Sequence, residues 1–288
     1  MLLIADSGST KTTWCLCDDA ASMRLVVETQ GINPVHQSEE QIRGVLIDEL
    51  LSAYGDRLTR EGEALQVFFY GAGCIGDACK HLKNIIGEVL GKDMCTAIEV
   101  ESDLLGAARA LCGSQPGVAC ILGTGANSCW YDGDNIAENV PPLGYILGDE
   151  GSGAVLGKLF FNAMFKGRLP ETIKTLYLKE SGLQYVDIIE RTYRKPLANR
   201  FLASTSVFIK QHIDDCEQLR QLVIDNFRDF FRNNVARYSN ASSLASNFIG
   251  SMACVYEEEL REAAVHEGFH VGKVAKSPMD GLVAFHGG

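Results

Sequence analysis

Residues 2–17 read LLIADSGSTKTTWCLC, and residues 118–131 read VACILGTGANSCWY. Each stretch is a short apolar strand, a turn of Gly with Ser or Thr, and a second short strand. Such a turn lets backbone N–H groups and hydroxyl groups converge on an anion, so two of them can hold one polyphosphate from opposite sides. The repeat therefore predicts two similar lobes with a nucleotide held between them.

The first turn, Asp6 to Thr12, invites comparison with a P-loop but does not fit that motif. Thr10 stands before Lys11 where a P-loop has Gly, and a strand follows the turn instead of a helix. On its own the segment fits a plain Gly-Ser hairpin with a solvated Lys11 equally well. Its recurrence at Gly123-Thr124-Gly125 favours a role in phosphate binding.

Bulk composition narrows the class of protein. The chain has 288 residues, of which 46% are hydrophobic, so it can bury a large core and should form about two domains. Its net charge of −11 and the lack of a long Lys/Arg run argue against nucleic-acid binding. No stretch reaches the roughly 18 apolar residues needed to span a bilayer, and Met1 to Ala5 lacks a basic leader region. We expect a cytoplasmic protein that does not bind a membrane.

The ten cysteines do not predict a disulfide scaffold. They are scattered through apolar, strand-like contexts such as Cys15, Cys17, Cys120 and Cys129, without an export signal, so reduced core thiols are the better interpretation. There is no Cys-x-x-Cys pair. A zinc or iron–sulfur site is therefore not expected.

Hydrophobic periodicity predicts a β-hairpin first and alternating helices and strands after it. Ser38 and Gln41 form a capping-box pattern at the start of the first helix. The predicted elements of the first hundred residues are strands near 2–5, 12–18 and 24–29, a helix at 38–53, a strand at 65–70, a helix at 77–90 and a strand at 96–100.

The pattern begins again near Asp103 and includes a long helical run. A Gly-rich loop from Gly144 to Gly153 follows the second hairpin. Residues 170–239 look wholly helical, and such a run resembles an insertion that caps a site. The other predicted elements are a helix at 103–112, a helix from the end of the Gly-rich loop to about 166, a strand at 247–249, a helix at 255–267 and a strand at 270–274. We expect an N-terminal lobe of residues 1–104, completed by 277–288, and a C-terminal lobe of 105–276 with an insertion at about 170–239.

The paired hairpins resemble the superfamily of sugar kinases, actin and heat-shock-chaperone ATPases. Ile32-Asn33-Pro34, Glu101-Ser102-Asp103 and Gly148-Asp149-Glu150-Gly151-Ser152 narrow the resemblance to the N-acetylglucosamine kinase family, which is grouped with the BadF/BadG/BcrA/BcrD ATPases. The resemblance runs from Ile4 to Leu282 and is weakest in the helical run. It implies an α/β fold of two ribonuclease H-like (actin-like ATPase) lobes, with a nucleotide cleft between them and a helical insertion in the second lobe.

The resemblance also implies an activity. The protein would be an ATP-dependent amino-sugar kinase that transfers the γ-phosphate to a hydroxyl of N-acetylglucosamine, with the 6-OH expected and Asp103 as the base. ATP and Mg²⁺ would be the cofactors, and Asp6 could hold Mg²⁺ through water. An amino sugar would be the small-molecule partner, and a homodimer is a further option.

Two groups of site residues follow. The ATP and phosphate contacts would come from the two hairpins and from a strand–Gly–helix junction, namely Gly8, Ser9, Thr10, Lys11, Thr12, Gly123, Thr124, Gly125, Gly250 and Ser251. The sugar, which needs amide and carboxylate groups of fixed geometry, would be bound by Asn33, Asp103, Asn127, Gly144 and Asp149.

Each of these residues also has a purely structural interpretation. Asp103 could be the N-cap of the helix that follows it, Asn33-Pro34 could simply begin a turn, and Asp149 could bond within its own loop. Gly250-Ser251 also fits a tight β–α turn, and Glu150 could be the N3 acid of the helix after Gly153.

Two other functions compete with a kinase. A BadF-type activator would couple ATP to electron transfer through an iron–sulfur cluster, for which Cys74 is the one suitable thiol in a Gly-rich loop. A sugar sensor on the same fold usually has an added DNA-binding helix-turn-helix or lacks the base, whereas this chain starts at the first strand and has Asp103. The identity of the sugar also stays open, because Pro141-Pro142-Leu143-Gly144 stands where the familiar kinase has an aromatic residue.

Overall fold

The computed structural model describes residues 1–8, 10–17, 23–58, 64–91 and 94–287. The chain divides into two compact units. The first contains Met1–Gln115, Gly133–Asn135 and Ser277–Gly288, and the second contains Pro116–Asp132 and Ile136–Lys276.

The first unit is built on a five-stranded mixed sheet in the order β3-β2-β1-β4-β5. The first three strands are antiparallel, while β4 and β5 run parallel to β1. Strand β1 is central, and Leu3, Ile4 and Ala5 are fully buried, as expected for a strand covered on both faces. The strands are β1 Leu2–Ser7, β2 Lys11–Cys17, β3 Arg24–Gln30, β4 Leu65–Gly71 and β5 Cys95–Ser102.

Helices cover this sheet on both faces. The predicted capping box is present, since Ser38 accepts from the Gln41 amide and Gln41 reaches back to the N-cap amide. The helix it starts includes a π-helical segment, Val45–Leu51. The helices of the unit's main segment are α1 Glu39–Gly44, α2 Ser52–Tyr54, α3 Asp77–Leu90 and α4 Asp103–Cys112, with a 3₁₀ turn at Gly55–Arg57.

The second unit has a sheet of the same design. Its order is β10-β9-β6-β7-β8, with β6, β7 and β8 antiparallel and β9 and β10 parallel to β6. Both units therefore share one strand order and one pattern of directions. The strands are β6 Gly117–Leu122, β7 Ala126–Tyr131, β8 Ile136–Glu138, β9 Ser246–Ile249 and β10 Val271–Ala275.

The predicted helical run is present between β8 and β9. Its aromatic core includes Phe160, Tyr177 and Phe208, whose ring centroids lie 5.0 to 5.8 Å apart. The helices of this unit are α5 Gly144–Leu147, α6 Gly153–Phe165, α7 Glu171–Ser181, α8 Tyr185–Tyr193, α9 Ala198–His212, α10 Glu217–Asn233, α11 Ser251–Val255 and α12 Glu257–His266, with 3₁₀ turns at Val235–Arg237 and Ala241–Ser243. Helix α13, Met279–Gly287, returns to the first unit.

Two details differ from the sequence-based expectation. The first unit continues to Gln115 instead of ending at 104, because α4 packs against β4 and α13. The helix expected at 255–267 is α12, and a short helix that was not predicted, α11, precedes it, since the backbone of Tyr256 leaves helical geometry between the two. The ten cysteines are present as reduced thiols. Within the described ranges, no helix is both long and apolar enough to cross a membrane.

Candidate functional site

The first hairpin is a closed turn with an exposed tip. The Gly8 amide donates to Lys11 O at 3.0 Å, and the Gly31 amide donates to Thr10 O at 3.1 Å. Gly8 and Thr10 are exposed at the tip, where both can meet a ligand. Ser9 lies outside the described residues.

Thr12, predicted to bind phosphate, has its hydroxyl inside the protein. The side chain is fully buried, and its Oγ1 lies 2.7 Å from Ser7 Oγ and donates to Gln30 O at 3.2 Å. The Ile32 amide donates to Thr12 Oγ1 as well. The hydroxyls of Ser7 and Thr12 therefore tie the first hairpin to the segment after β3, and the Thr12 hydroxyl does not face a ligand.

Lys11 begins β2 and points along the sheet surface. Its Nζ forms an ion pair with Glu28 on the neighbouring β3, and both side chains are more than half exposed. An exposed ion pair of this kind contributes little stability. Lys11 can therefore exchange Glu28 for a phosphate at low cost.

The carboxyl groups of Asp6 and Asp103 both have raised pKa values. Asp6 lies near the end of β1, and burial raises its pKa to about 6, with the charge of Asp103 as the second cause and Lys11 opposing both. Asp103 is the first residue of α4, and burial raises its pKa as well. Two partly buried acidic groups with raised pKa values are typical of functional sites.

Asp103 is not the N-cap of α4. Ser102 has extended backbone geometry, and its Oγ accepts from the Leu105 amide at 3.2 Å, so Ser102 is the cap. The Asp103 carboxylate accepts from backbone amides at the very start of the helix, including Leu104 N at 2.9 Å. The capping interpretation of Asp103 is therefore wrong.

Asn33 does form the turn that its sequence context suggested. Its Oδ1 accepts from the Val35 amide at 3.0 Å. The side chain lies directly over Gly73, since a Cβ added to that glycine would be 2.4 Å from Asn33 Oδ1. Gly73 also has a φ of +79°. Among the described residues, Nδ2 of Asn33 has no hydrogen-bond partner, so its two N–H groups remain available as donors.

The second hairpin is anchored on the start of a long helix. The Gly123 amide donates to Gly125 O at 2.9 Å, which closes the turn. The first amides of α6 then donate to it, Gly153 N to Gly123 O at 2.8 Å and Ala154 N to Thr124 O at 3.1 Å. The turn is therefore held by backbone bonds, and Thr124 is partly exposed beside the positive end of the α6 dipole.

Asp149 lies against the second hairpin. Its backbone is left-handed, with φ of +56°, and the Cβ position of Gly125 is 3.1 Å from its Oδ2. Burial raises the pKa of Asp149, while a hydrogen bond from the Ala126 amide lowers it. Asn127 follows the same hairpin, with its Oδ1 accepting from the Ser128 amide at 2.9 Å. Asp149 and Asn127 thus each lie at the second hairpin.

The remaining predicted contacts lie at two loops of the second unit. Gly144 begins the short helix α5, with φ of +71° and open space around its Cα. Gly250 directly follows β9 with φ of +123°, and Ser251 is exposed at the start of α11. The predicted strand–Gly–helix junction is therefore present.

Several residues of these loops were missed or misassigned from sequence. Glu150 is not the N3 acid of a helix, because Ser152 caps α6 and Glu150 accepts from Asn233 Nδ2 at 3.1 Å. Asn226 of α10 also holds the Gly-rich loop, accepting from Gly151 N and donating to Ser152 O. Asn139 donates to Asn127 Oδ1. Nothing in the local sequence signals these long-range partners.

Cys74 is a core thiol. It is 2% exposed in the first unit, and burial raises its pKa to about 12. In the part of the chain that the structure describes, no three His, Cys, Asp or Glu side chains are grouped as metal ligands. Asp6 nevertheless has the carboxylate chemistry that Mg²⁺ takes together with phosphates and water.

The repeated β-sheet design defines the actin-like ATPase class of fold, and solved structures agree. The chain is 47% identical to a putative N-acetylglucosamine kinase from Porphyromonas gingivalis, with 100% of this chain and 99% of that chain covered and a TM-score of 0.92. This chain belongs to the N-acetylglucosamine kinase-like family, a family of ATP-dependent phosphotransferases.

Two more distant structures share the fold. A putative N-acetylglucosamine kinase from Chromobacterium violaceum is 16% identical with a TM-score of 0.73, over 99% of this chain and 98% of that one. A glucokinase of the ROK family from Streptomyces griseus, solved with glucose and AMPPNP, is 13% identical with a TM-score of 0.51, over 99% and 98%. Comparisons with protein-family models and with curated proteins gave no match.

Proposed function

We propose that this protein is an ATP- and Mg²⁺-dependent amino-sugar kinase that transfers the γ-phosphate to the 6-OH of N-acetylglucosamine. The observation that carries the proposal is the state of Asp103. Ser102 takes over the capping of α4, which leaves the Asp103 carboxylate at the helix start, where its charge raises the pKa of Asp6. A carboxylate whose pKa is raised by burial is a stronger base for the proton of a sugar hydroxyl.

The other parts of a phosphoryl transfer have candidates in each unit. Gly8, Thr10 and Lys11 in the first unit and Gly123, Thr124 and Gly125 in the second are proposed to bind the phosphates. Gly250 and Ser251 are proposed to bind the adenosine. Thr12 can contribute through its backbone, because its hydroxyl is engaged inside the protein.

The sugar is proposed to be bound by groups of opposite hydrogen-bonding character. Asn33 and Asn127 offer N–H donors, whereas Asp103 and Asp149 offer acceptor oxygens. A sugar hydroxyl can pair with either kind, because it both accepts and donates hydrogen bonds. Gly144 lies at the open start of α5 and is proposed to let the sugar approach the backbone. Mg²⁺, when bound with ATP, neutralises phosphate charge, and Asp6 is the residue proposed to hold it through water.

The decisive experiment is an ADP-release assay with N-acetylglucosamine, glucosamine, N-acetylmannosamine, N-acetylmuramate and glucose. We expect the highest kcat/KM with N-acetylglucosamine and very slow ADP release without sugar. Equal ADP release with every sugar and with none would contradict the kinase and favour an ATP-driven switch. Binding of the sugar without any turnover would instead favour a sensor.

A further inference from the structure

The amide of Asn127 is held in one orientation by a residue from the next hairpin. Oδ1 of Asn127 accepts two hydrogen bonds, from Ser128 N at 2.9 Å and from Asn139 Nδ2 at 3.1 Å. Both acceptor sites of the oxygen are therefore used. Within the described part of the chain, Nδ2 of Asn127 has no hydrogen-bond partner, and the side chain is only partly buried.

Asn139 is itself fixed by acceptors on three sides. It follows β8 directly, and its Nδ2 donates to Ser128 O at 2.7 Å and lies 3.3 Å from Val140 O, besides its bond to Asn127. If the Asn139 amide were flipped, its oxygen would face these three oxygens in place of the nitrogen, and the contacts would be unfavourable. The orientation of Asn139 therefore determines which end of Asn127 is bonded within the protein.

We propose that Asn139 is a positioning residue that fixes the orientation of the Asn127 amide. Asn127 can then only donate hydrogen bonds to the sugar, and the sugar atom that it contacts is an acceptor oxygen. The group contacted is then a carbonyl oxygen or a hydroxyl lone pair, and not a hydroxyl proton. This inference rests on the proposed function, because it assigns the polarity of a residue proposed to bind the sugar. It adds a specificity-determining residue that lies outside the predicted set.

The kinetic test is a double-mutant cycle between Asn139→Ala and Asn127→Ala. Since one oriented hydrogen bond is at stake, we expect Asn139→Ala to raise the KM for N-acetylglucosamine about three- to tenfold and to leave the KM for ATP unchanged. In the Asn127→Ala background, Asn139→Ala should have no further effect on the sugar KM. Additive effects of the two substitutions would overturn the proposal.

A second variant separates polarity from packing. Asn139→Asp has nearly the same shape but places an oxygen against Asn127 Oδ1 and Ser128 O, so it favours the reversed Asn127 amide. We expect a higher sugar KM for Asn139→Asp than for Asn139→Ala, and equal values would contradict the proposal. Asn135→Ala is the control on the other side of β8, because Asn135 is exposed and its Nδ2 bonds to the adjacent Asp134.

A spectroscopic readout keeps this test independent of the activity. In the free protein, the side-chain NH₂ resonances of Asn127 should shift in Asn139→Ala and stay in place in Asn135→Ala. Unchanged Asn127 resonances in Asn139→Ala would overturn the inference even for an active kinase. A wild-type protein that neither binds nor phosphorylates an amino sugar would refute the proposed function while the resonances still report the contact.

Discussion

The charge of Asp103 is felt by Asp6, whose pKa it raises in addition to the larger effect of burial. One carboxylate stands at the end of a central strand, and the other stands at the first residue of a helix. The two groups differ in the roles proposed for them, since Asp6 would hold the metal and Asp103 would take the proton. Substitution of each should therefore impair a different step.

Asp103→Asn should abolish most of the turnover. Loss of a general base costs about 100-fold or more in kcat, whereas Asn keeps the shape and the bond from Leu104 N. We expect binding of Mg²⁺-AMPPNP to be retained, as measured by calorimetry, and the melting temperature to be unchanged or higher because a buried charge is removed. Retention of wild-type kcat would exclude Asp103 as the base.

Asp6→Asn should act on the nucleotide instead. Without the carboxylate we expect a higher Mg²⁺ concentration at half-maximal rate and weaker binding of Mg²⁺-AMPPNP, by about tenfold for the loss of a charged contact. Binding of the sugar alone serves as the internal control. An unchanged Mg²⁺ dependence would show that Asp6 does not hold the metal.

Ser102→Ala should separate helix capping from catalysis. Loss of the bond between Ser102 Oγ and Leu105 N is expected to lower the free energy of unfolding by about 1 kcal/mol, as measured by urea denaturation. Ser102→Thr keeps a hydroxyl and should restore most of that stability. A kcat as low as that of Asp103→Asn in a folded Ser102→Ala protein would argue against the division of roles between these neighbours.

His286 should make stability depend on pH. Burial lowers its pKa to about 4, and the ring stacks on Phe68 and lies 2.8 Å from Tyr70 Oη through Nε2. Between about pH 4 and 6.5 the unfolded chain binds a proton at His286 that the folded protein does not, so stability falls as the pH drops through this window.

The variant His286→Phe keeps the stacked ring and removes the titrating group. Because His286 is only partly buried, its contribution to the pH dependence should be about 2 kcal/mol. Between pH 7 and 4, the free energy of unfolding should therefore fall by that much less in the variant than in the wild type. His36→Gln, in an exposed turn, is the control and should keep the wild-type dependence. Equal slopes for wild type and His286→Phe would refute the assignment.

Gly250→Ala should be much more disruptive than Gly268→Ala, although both glycines have positive φ. An added Cβ at Gly250 would lie 2.2 Å from Leu122 O, whereas the space around Gly268 is open. We expect a loss of about 3 kcal/mol at Gly250, from backbone strain plus the clash, and about 1 kcal/mol at Gly268 from strain alone. Denaturation midpoints check this, and similar losses at both sites would contradict it.

The sequence alone was sufficient for the architecture. The two Gly-rich hairpins, the period-2 strands and the capping box at Ser38 are local patterns, because they depend on residues adjacent in the chain, and the structure has these elements nearly where they were predicted. The repeat also anticipated that the two units would have the same strand order. Family membership followed from motifs such as Glu101-Ser102-Asp103.

The tertiary structure alone decided which polar atoms are free. Ser102 and Asp103 are both good N-caps by residue type, and only the backbone geometry at the start of α4 assigns that role to Ser102. The inward hydroxyl of Thr12 and the amide of Asn127 oriented by Asn139 also depend on partners from other segments of the chain. A hydrogen bond is set by distance and direction in space, so its partner cannot be read from spacing along the chain.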